Sequence, residues 1–183
     1  AYLLRCRNTG QQLLIDAAND PSRLLDLVGD AGLTTVVTTH QHGDHWQALE
    51  AVTTATGARS VAHEADAGEL PVASETVRDG AVIQVGDCAL EAIHLVGHTP
   101  GSIALLYQDP DGAPHLFTGD SLFPGGVGNT WGDAERFRTL INDVEHKIFD
   151  RLPDDTWFYP GHGDDSTLGA ERPSLPEWRE RGW

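Results

Sequence analysis

Thr38-Thr39-His40-Gln41-His42-Gly43-Asp44-His45-Trp46 is the stretch of sequence that decides the fold. It overlaps the end of a β-branched run, Thr34 to Thr39, which predicts a buried strand. From Trp46 to Val52 the apolar residues recur at helical spacing, and Gly57 is a suitable stop for that helix. The polar cluster is therefore predicted to lie in a strand-to-helix loop.

This loop contains four candidate metal ligands within six residues, His40, His42, Asp44 and His45. Imidazole nitrogen and carboxylate oxygen both suit a divalent ion such as zinc. Histidines two residues apart on an extended segment can converge on one ion, whereas Asp44 and His45 are expected at the beginning of the helix and point elsewhere. The loop thus predicts two neighbouring metals; the alternative is a solvated, histidine-rich turn that binds none.

Alternating strands and helices are predicted for the first third of the chain. Tyr2 to Cys6 and Gln12 to Asp16 flank a turn and predict a hairpin. Asp20-Pro21 is typical of a helix start, with the end near Gly29 or Gly32. Ser60 to Ala62 predicts a short strand after the helix of the metal loop. This alternation favours a layered α/β fold.

The rest of the chain predicts a second sheet and one long helix. Turn signals divide residues 80–119 into strands at 82–85, 89–96, 102–107 and 115–118. An amphipathic helix is predicted from the candidate N-cap Asp133, and Pro153 ends it. A last strand follows at Thr156 to Tyr159. No linker or internal repeat interrupts the sequence, so residues 1–183 are predicted to form a single domain.

The charge and composition of the chain limit the classes of partner that it could bind. Twelve basic against 28 acidic residues give a formal net charge of −16, which argues against binding a nucleic-acid backbone. Bound cations would offset part of that excess. There is neither a membrane-spanning apolar run nor a leader pattern, which predicts a cytoplasmic protein without a membrane partner. The sequence has no methionine and begins in a strand-like run, so the N-terminus is expected to be trimmed.

The two cysteines, Cys6 and Cys88, lie in separate strand-like runs. They lack Cys-x-x-Cys spacing, so the sequence indicates neither a metal motif nor a redox motif at these positions. Buried, reduced thiols are the expectation.

Three later turns add a ligand each at the end of a predicted strand. His98 lies in Gly97 to Ser102, Asp120 follows Gly119, and His162 lies in Pro160-Gly161-His162-Gly163. Each turn alone is weak evidence for a metal site. With the first loop, they make seven nitrogen and oxygen ligands that one rim of a sheet structure could gather.

This ligand set resembles that of the metallo-β-lactamase-fold hydrolase superfamily, and the resemblance runs through nearly the whole chain. It implies a four-layer αββα sandwich, two sheets with helices outside. The first metal would then be held by His40, His42 and His98. The second metal would be held by Asp44, His45 and His162, and Asp120 would bridge the two ions.

Within the superfamily, Gly97 to Ser102, Thr118 to Phe123 and Leu152 to Gly163 are most similar to glyoxalase II, the hydroxyacylglutathione hydrolases. Thr167 to Arg172 resembles the short, single-domain members of that branch. The resemblance implies two divalent ions, zinc first and iron or manganese as alternatives. A water shared by the ions would be acidified enough to attack a small-molecule thioester or ester.

Several side chains are candidates for the catalytic and substrate-binding parts of such a site. Asp120 would act as the bridge and Asp44 as a ligand able to relay a proton. Five further candidates to contact substrate follow from their positions near the ligand loops or in the C-terminal tail: Trp46, Phe123, Asn129, Trp131 and Arg172. Core packing is the alternative for the aromatic residues and a solvated tail for Arg172. Asn129 stands where the family has a basic residue, which leaves open glutathione, another thiol carrier or a lactone.

Other functions on the same scaffold remain open at this point. A persulfide dioxygenase would hold a single iron with His40, His98 and Asp120. A lactonase would use the same two-metal chemistry on a cyclic ester. A metal-binding regulatory or scaffold protein would need no catalysis, although two complete metal sites around an open water position favour an enzyme.

Overall fold

The computed structural model describes residues 1–183 as two mixed sheets with helices packed on their outer faces. The first sheet has five strands in chain order: β1 Tyr2–Arg5, β2 Gln12–Ile15, β3 Thr35–Val37, β4 Arg59–His63 and β5 Glu75–Val77. β1 and β2 form the predicted antiparallel hairpin, and the other neighbours are parallel. Parallel neighbours require crossover connections, and helices provide two of these in the first sheet.

The second sheet has six strands in the order β13-β12-β9-β8-β7-β6. Its members are β6 Val82–Val85, β7 Cys88–His94, β8 Ile103–Tyr107, β9 His115–Gly119, β12 Trp157–Pro160 and β13 Ser166–Thr167. The pair β9 and β12 is parallel and the rest are antiparallel. A small hairpin of β10 Leu122–Phe123 and β11 Gly126–Val127 follows β9.

Helices cover the outer face of each sheet. α1 Pro21–Val28 and α2 Leu49–Thr56 belong to the first sheet, whereas α3 Ala134–Val144, α4 Leu168–Glu171 and α5 Leu175–Arg181 belong to the second. Asp20 caps α1 and Asp133 caps α3, as predicted, because each carboxylate accepts a backbone N–H of the first turn. A π-helical turn, Glu145–Phe149, continues α3.

Three apolar clusters show how the layers are stacked. The middle cluster joins inward residues of both sheets, such as Ile15, Val37, Leu105 and Phe117. A second cluster packs α1 and α2 on the first sheet, and the largest packs α3 and α5 on the second. This is the predicted αββα sandwich, so the fold class is confirmed. No helix of the structure is both long enough and apolar enough to cross a membrane. That residues 1–183 form a single domain stays a prediction.

Replacing a side chain between the sheets tests this core. Leu105 lies on β8 in the middle cluster and is fully buried. Leu105→Ala leaves a cavity there, so we expect the free energy of unfolding to fall by about 2–5 kcal/mol, measured by denaturant titration. The matched control is Leu27→Ala on α1, whose side chain is 53% exposed, and it should change stability little. Equal losses of unfolding free energy in the two variants would contradict the position of Leu105 in the core between the sheets.

Candidate metal centre

All seven predicted ligands lie at one rim of the sandwich, just beyond the carboxyl ends of strands. His40 and His42 follow β3, His98 follows β7, Asp120 follows β9 and His162 follows β12. Backbone hydrogen bonds join the rims of the two sheets, since Ile103 N donates to Thr39 O at 2.9 Å. The seven side chains, spread over more than a hundred residues, therefore meet at one place.

Asp44 and His45 do not begin the helix, which corrects the sequence prediction. They occupy a separate 3-10 turn, Gly43–His45, and α2 starts only at Leu49. Trp46 explains the delay, because its indole Nε1 donates to Gln41 O at 2.7 Å and folds the loop back on itself. The helix cannot begin until the chain has left that loop.

The first group of ligand atoms comes from His40, His42 and His98. One ligand atom from each lies within 4.8 Å of the other two. The closest approach is 3.0 Å, between His42 Nδ1 and His98 Nε2. This is the trio expected to hold the first metal.

The second group comes from Asp44, His45 and His162, whose ligand atoms also lie within 4.8 Å of one another. His162 Nε2 is 3.1 Å from Asp44 Oδ2 and 3.2 Å from His45 Nε2. His45 is buried, but Asp44 and His162 are exposed, so this side of the centre opens to solvent.

Asp120 lies between the two groups. Its Oδ1 is 3.4 Å from His45 Nε2, and its Oδ2 is 3.5 Å from His162 Nε2 and 3.7 Å from His98 Nε2. One carboxylate therefore faces both groups, which is the position that a bridging ligand requires.

Hydrogen bonds at Nδ1 leave Nε2 of three histidines free to bind a metal. His45 Nδ1 lies 2.7 Å from Asp16 Oδ2, a carboxylate that can only accept. His98 Nδ1 lies 2.9 Å from the carbonyl oxygen of Asn129. Both rings must therefore donate from Nδ1, which fixes their tautomers.

His40 is fixed in the same way through a hydroxyl. Thr39 Oγ1 donates to Asp16 Oδ2 at 2.8 Å, so it accepts from His40 Nδ1, 3.0 Å away. The Nε2 lone pair of His40 then faces the centre. Asp16 thus acts on two ligands, one directly and one through Thr39.

A second buried carboxylate, Asp66, connects the two loops that supply the first group. It accepts from Gln41 N at 3.0 Å, Gly101 N at 2.7 Å and Thr99 Oγ1 at 2.6 Å. Gln41 separates His40 from His42, and Thr99 and Gly101 belong to the His98 loop. Asp66 thereby fixes the distance between these loops.

Electrostatics favour the neutral form of His40 and His98 and favour positive charge near the carboxylates. Burial is the main cause that lowers the pKa values of His40 and His98. Burial also opposes protonation of His45, but Asp120 and Asp16 prevail and raise its pKa to about 10. Burial would raise the pKa of Asp120, yet His45 holds it below its ordinary value. A cation between these carboxylates is therefore stabilised.

One further observation, which does not depend on any resemblance to a family, shows that these residues fit a divalent metal. His40 Nε2 and Asp120 Oδ1 are buried and have no hydrogen-bond partner within the protein. Leaving buried polar atoms unpaired is costly, and a metal ion between them would remove that cost. Imidazole and carboxylate donors suit zinc, iron and manganese alike.

Of the five substrate candidates, Asn129 contacts His98 through its carbonyl oxygen, and Trp131 lies against His98 and His42 with its ring. Its ring stacks on His98 with centroids 5.4 Å apart and meets His42 edge-on at 5.5 Å, while 56% of its surface is exposed. Its φ of 55° lies in the left-handed region, and Asn129 Oδ1 supports that turn by accepting from Trp131 N at 2.7 Å. Asn129 therefore positions Trp131 as well as His98.

The other three candidates have packing contacts of their own. Trp46 packs against the cluster beneath α1 and α2, and Phe123 is half-buried in the β10–β11 hairpin. The Arg172 guanidinium binds Asp154 Oδ1 and the carbonyl of Phe149, both at 2.6 Å. The structure does not bring Arg172 to the ligands. Substrate contact by these residues stays a prediction.

Sequence reasoning missed two groups of residues that shape the centre. Asp16 and Asp66 were passed over, although a carboxylate directly after the apolar strand Leu13 to Ile15 could have marked Asp16. Gly161 was counted only as part of a turn. A Cβ there would lie 2.2 Å from Asp120 Oδ1 and 2.6 Å from His45 Cε1, so only glycine lets the chain pass this close.

Comparison with known proteins agrees with this site. A family model described as the metallo-beta-lactamase superfamily matches residues 1–162. A curated hydroxyacylglutathione hydrolase from Polaromonas sp. is 37% identical over 88% of this chain. The chain spans about 60% of the length of the first curated relatives that it matches.

Solved structures agree in fold over almost the whole chain. The crystal structure of ETHE1 from Myxococcus xanthus has a TM-score of 0.83 and 32% identity, covering 98% of this chain and 79% of that one. A protein called TTHA1623, crystallised in a di-iron-bound form, has a TM-score of 0.76 and 28% identity, covering 96% of this chain and 93% of that one.

Removing the charge of Asp16 tests its control of the ligand tautomers. Asp16→Asn keeps the size of the side chain but loses an acceptor, so His45 and His40 are less well fixed. We expect metal affinity to fall by about 10–100-fold, measured by competition with a chromogenic chelator. Asp26→Asn, on the exposed face of α1, removes the same charge and should leave the affinity unchanged. An unaltered affinity in Asp16→Asn would contradict this role.

Adding a methyl group at Gly161 tests the close packing of the centre. Gly161→Ala places a Cβ against Asp120 and His45, so both side chains must shift. We expect metal affinity to fall by about tenfold or more in the same competition assay. Gly68→Ala is the control, because a Cβ there meets no atom within 4 Å. Retained affinity in Gly161→Ala would show that the two ligands do not occupy these positions when metal binds.

Proposed function

The chain belongs to the metallo-β-lactamase superfamily, and from that membership we propose that it is a metal-dependent hydrolase of small-molecule thioesters or related esters. The main support for the proposal is the position of Asp120, whose Oδ2 lies near His98 of the first group and His162 of the second, while its Oδ1 lies near His45 of the second. A carboxylate so placed suits a pair of metals rather than one. A similar protein crystallised in a di-iron-bound form supports a site for two metal ions.

The proposed ligands form two sets that share Asp120. His40, His42 and His98 would hold the first ion, Asp44, His45 and His162 would hold the second, and Asp120 would serve both. Zinc is the first candidate for both ions, with iron and manganese as alternatives. Once bound, such a metal pair supplies an acidified water as nucleophile and a positive charge that polarises the scissile carbonyl.

The protein's own residues would orient the reaction. Asp16 and Asp66 hold the ligand loops, so the centre needs little rearrangement when substrate binds. Asp44 is exposed and only 3.1 Å from His162 Nε2, which suits it to pass a proton between the centre and solvent. Trp131 offers an exposed aromatic face beside the first group, where an apolar part of the substrate can pack.

A thioester is the favoured substrate because of its leaving group and of the relatives. A thiolate leaves without full protonation, since a thiol has a pKa of about 8.5, so the site needs no strong general acid. The similar hydroxyacylglutathione hydrolase from Polaromonas sp. is named for a glutathione thioester. Asn129 brings no charge to the loop beside the centre, so we leave the thiol carrier open between glutathione and another thiol.

Metal content and substrate turnover together test the proposal. Protein purified without added metal should contain about two equivalents of zinc, iron or a mixture by plasma mass spectrometry. It should release thiol from hydroxyacylglutathione or from an acyl thioester of another carrier, and chelation should abolish that release. His42→Ala should lower kcat/KM by about a hundredfold or more, since a ligand matters at least as much as its supporting residues.

A matched histidine variant and two further substrates complete the design. His146→Ala alters an exposed helical histidine and should retain full activity. Hydrolysis of lactones but not thioesters would make the protein a lactonase. One equivalent of iron, with oxygen consumed in the presence of a thiol persulfide and no thioester turnover, would overturn the hydrolase and favour a persulfide dioxygenase. Full metal loading without any turnover would favour a regulatory metal-binding protein.

A further inference from the structure

The end of the sandwich opposite the metal centre contains a cavity of about 540 Å³ between the two sheets. The end of β1 and the beginnings of β7 and β9 surround it, whereas the ligands follow the other ends of the strands. Leu90 and Phe117 contribute apolar surface to its lining, whereas two arginines and two aspartates, Arg5, Arg7, Asp109 and Asp111, contribute charge of both signs. Its volume suits a small organic molecule.

Both cysteines of the chain line this cavity, each from a different sheet. Cys6 directly follows β1 and is buried, and Cys88 is the first residue of β7 and is half-buried. Neither forms a disulfide, but the two thiol side chains interact with each other, and Cys88 also interacts with the Tyr107 hydroxyl. Residues far apart in the sequence thus form a dithiol that their spacing did not indicate.

The turns next to the cysteines hold the two thiols together. Asn8 Nδ2 donates to Asp87 Oδ2 at 3.1 Å, and Gly86 N donates to Gln11 Oε1 at 2.9 Å. Gly86 has a φ of 58°, and a Cβ on it would lie 2.8 Å from Cys6 Sγ. The turn before β7 therefore lies directly against the Cys6 side chain, and glycine is required for that approach.

The surroundings make the two thiols chemically unequal. Hydrogen bonds from the hydroxyl and backbone of Thr9, with the Asp87 backbone, lower the pKa of Cys6 to about 6. Burial and the neighbouring Cys6 raise the pKa of Cys88. At neutral pH the pair then consists of a thiolate and a thiol, which are the two forms that disulfide exchange uses.

We propose that Cys6 and Cys88 form a second reactive site, which exchanges with small disulfides in the cavity and closes as a disulfide between the two sheets. The disulfide substrate is the oxidant. Both cysteines line the cavity in which it would bind. This activity is independent of the metal centre.

The exchange balances in two steps. The Cys6 thiolate attacks one sulfur of the external disulfide, which forms a mixed disulfide and releases the other half as a thiolate. Cys88 then loses its proton, attacks the sulfur of Cys6, forms the Cys6–Cys88 bond and releases the second half. Two protein thiols are oxidised and one external disulfide is reduced to two thiols. A dithiol reductant reverses the reaction.

Oxidised glutathione is the probe, and cystamine, a cationic disulfide, is the comparison. The reduced protein is incubated with each probe at neutral pH, quenched with an alkylating reagent and measured by intact mass and peptide mapping. We expect both thiols to disappear with the loss of two hydrogen masses, and peptides containing Cys6 and Cys88 to be joined. Both probes should oxidise the pair, and the oxidised protein should melt at a higher temperature than the reduced one.

Single cysteine variants separate the two roles. Cys88→Ser should retain one glutathione on Cys6, because nothing resolves the mixed disulfide. Cys6→Ser should react with oxidised glutathione at least about tenfold more slowly than Cys88→Ser. Unfolding both variants in denaturant should remove this difference in rate, because the fold makes the two thiols unequal. Three outcomes would each overturn the proposal: two thiols of the wild type that can still be alkylated, dimers linked by a disulfide, or equal reaction rates in the two folded variants.

Discussion

The metal centre depends on how one buried carboxylate, that of Asp16, is satisfied. Asp16 follows β2, is 3% exposed and has a φ of 58°, so both its burial and its backbone conformation are unfavourable. Its compensation comes from Thr39 N, Thr39 Oγ1 and His45 Nδ1, all within 2.8 Å. Because every one of these donors belongs to the metal loop, the interactions that stabilise Asp16 also fix the orientation of the ligands.

The directions of the strands place different chemistry at the two ends of the sandwich. Parallel neighbours such as β2 and β3, or β9 and β12, bring loops from distant parts of the chain to the same rim. Loops at that rim carry histidines and carboxylates. Antiparallel neighbours such as β1 and β2 return the chain to the other rim, where Cys6 and Cys88 meet. Since the ends share only the strands between them, each can be altered with little effect on the other.

Much of the fold could be predicted from local patterns in the sequence. The alternating strands, the caps Asp20 and Asp133 and the long amphipathic α3 all have signals within a few residues. The shortest strands had no such signal. β5 and β13, three and two residues long, depend on pairing with β4 and β12. Such elements are set by tertiary contacts that no local window contains.

The site divides in the same way between local and distant information. The candidate ligands could be proposed because histidines and aspartates at strand ends form a pattern that can be read in sequence order. Their supports were missed because Asp66 acts on Gln41 and Gly101 across the fold, and the approach of Gly161 to Asp120 exists only after folding. The wrong placement of Asp44 and His45 at a helix start has a local cause instead, the hydrogen bond from Trp46 to Gln41 within the same loop.

The spread of the ligands along the chain also determines when the centre can assemble during folding. His40 and His42 are adjacent to β3, but His162 takes its place only once β12 has paired with β9, more than forty residues earlier in sequence. Contacts between such distant segments form slowly because a long loop must close first. A complete centre is therefore a late event, and ion capture by the finished site reports that the last central strand has docked.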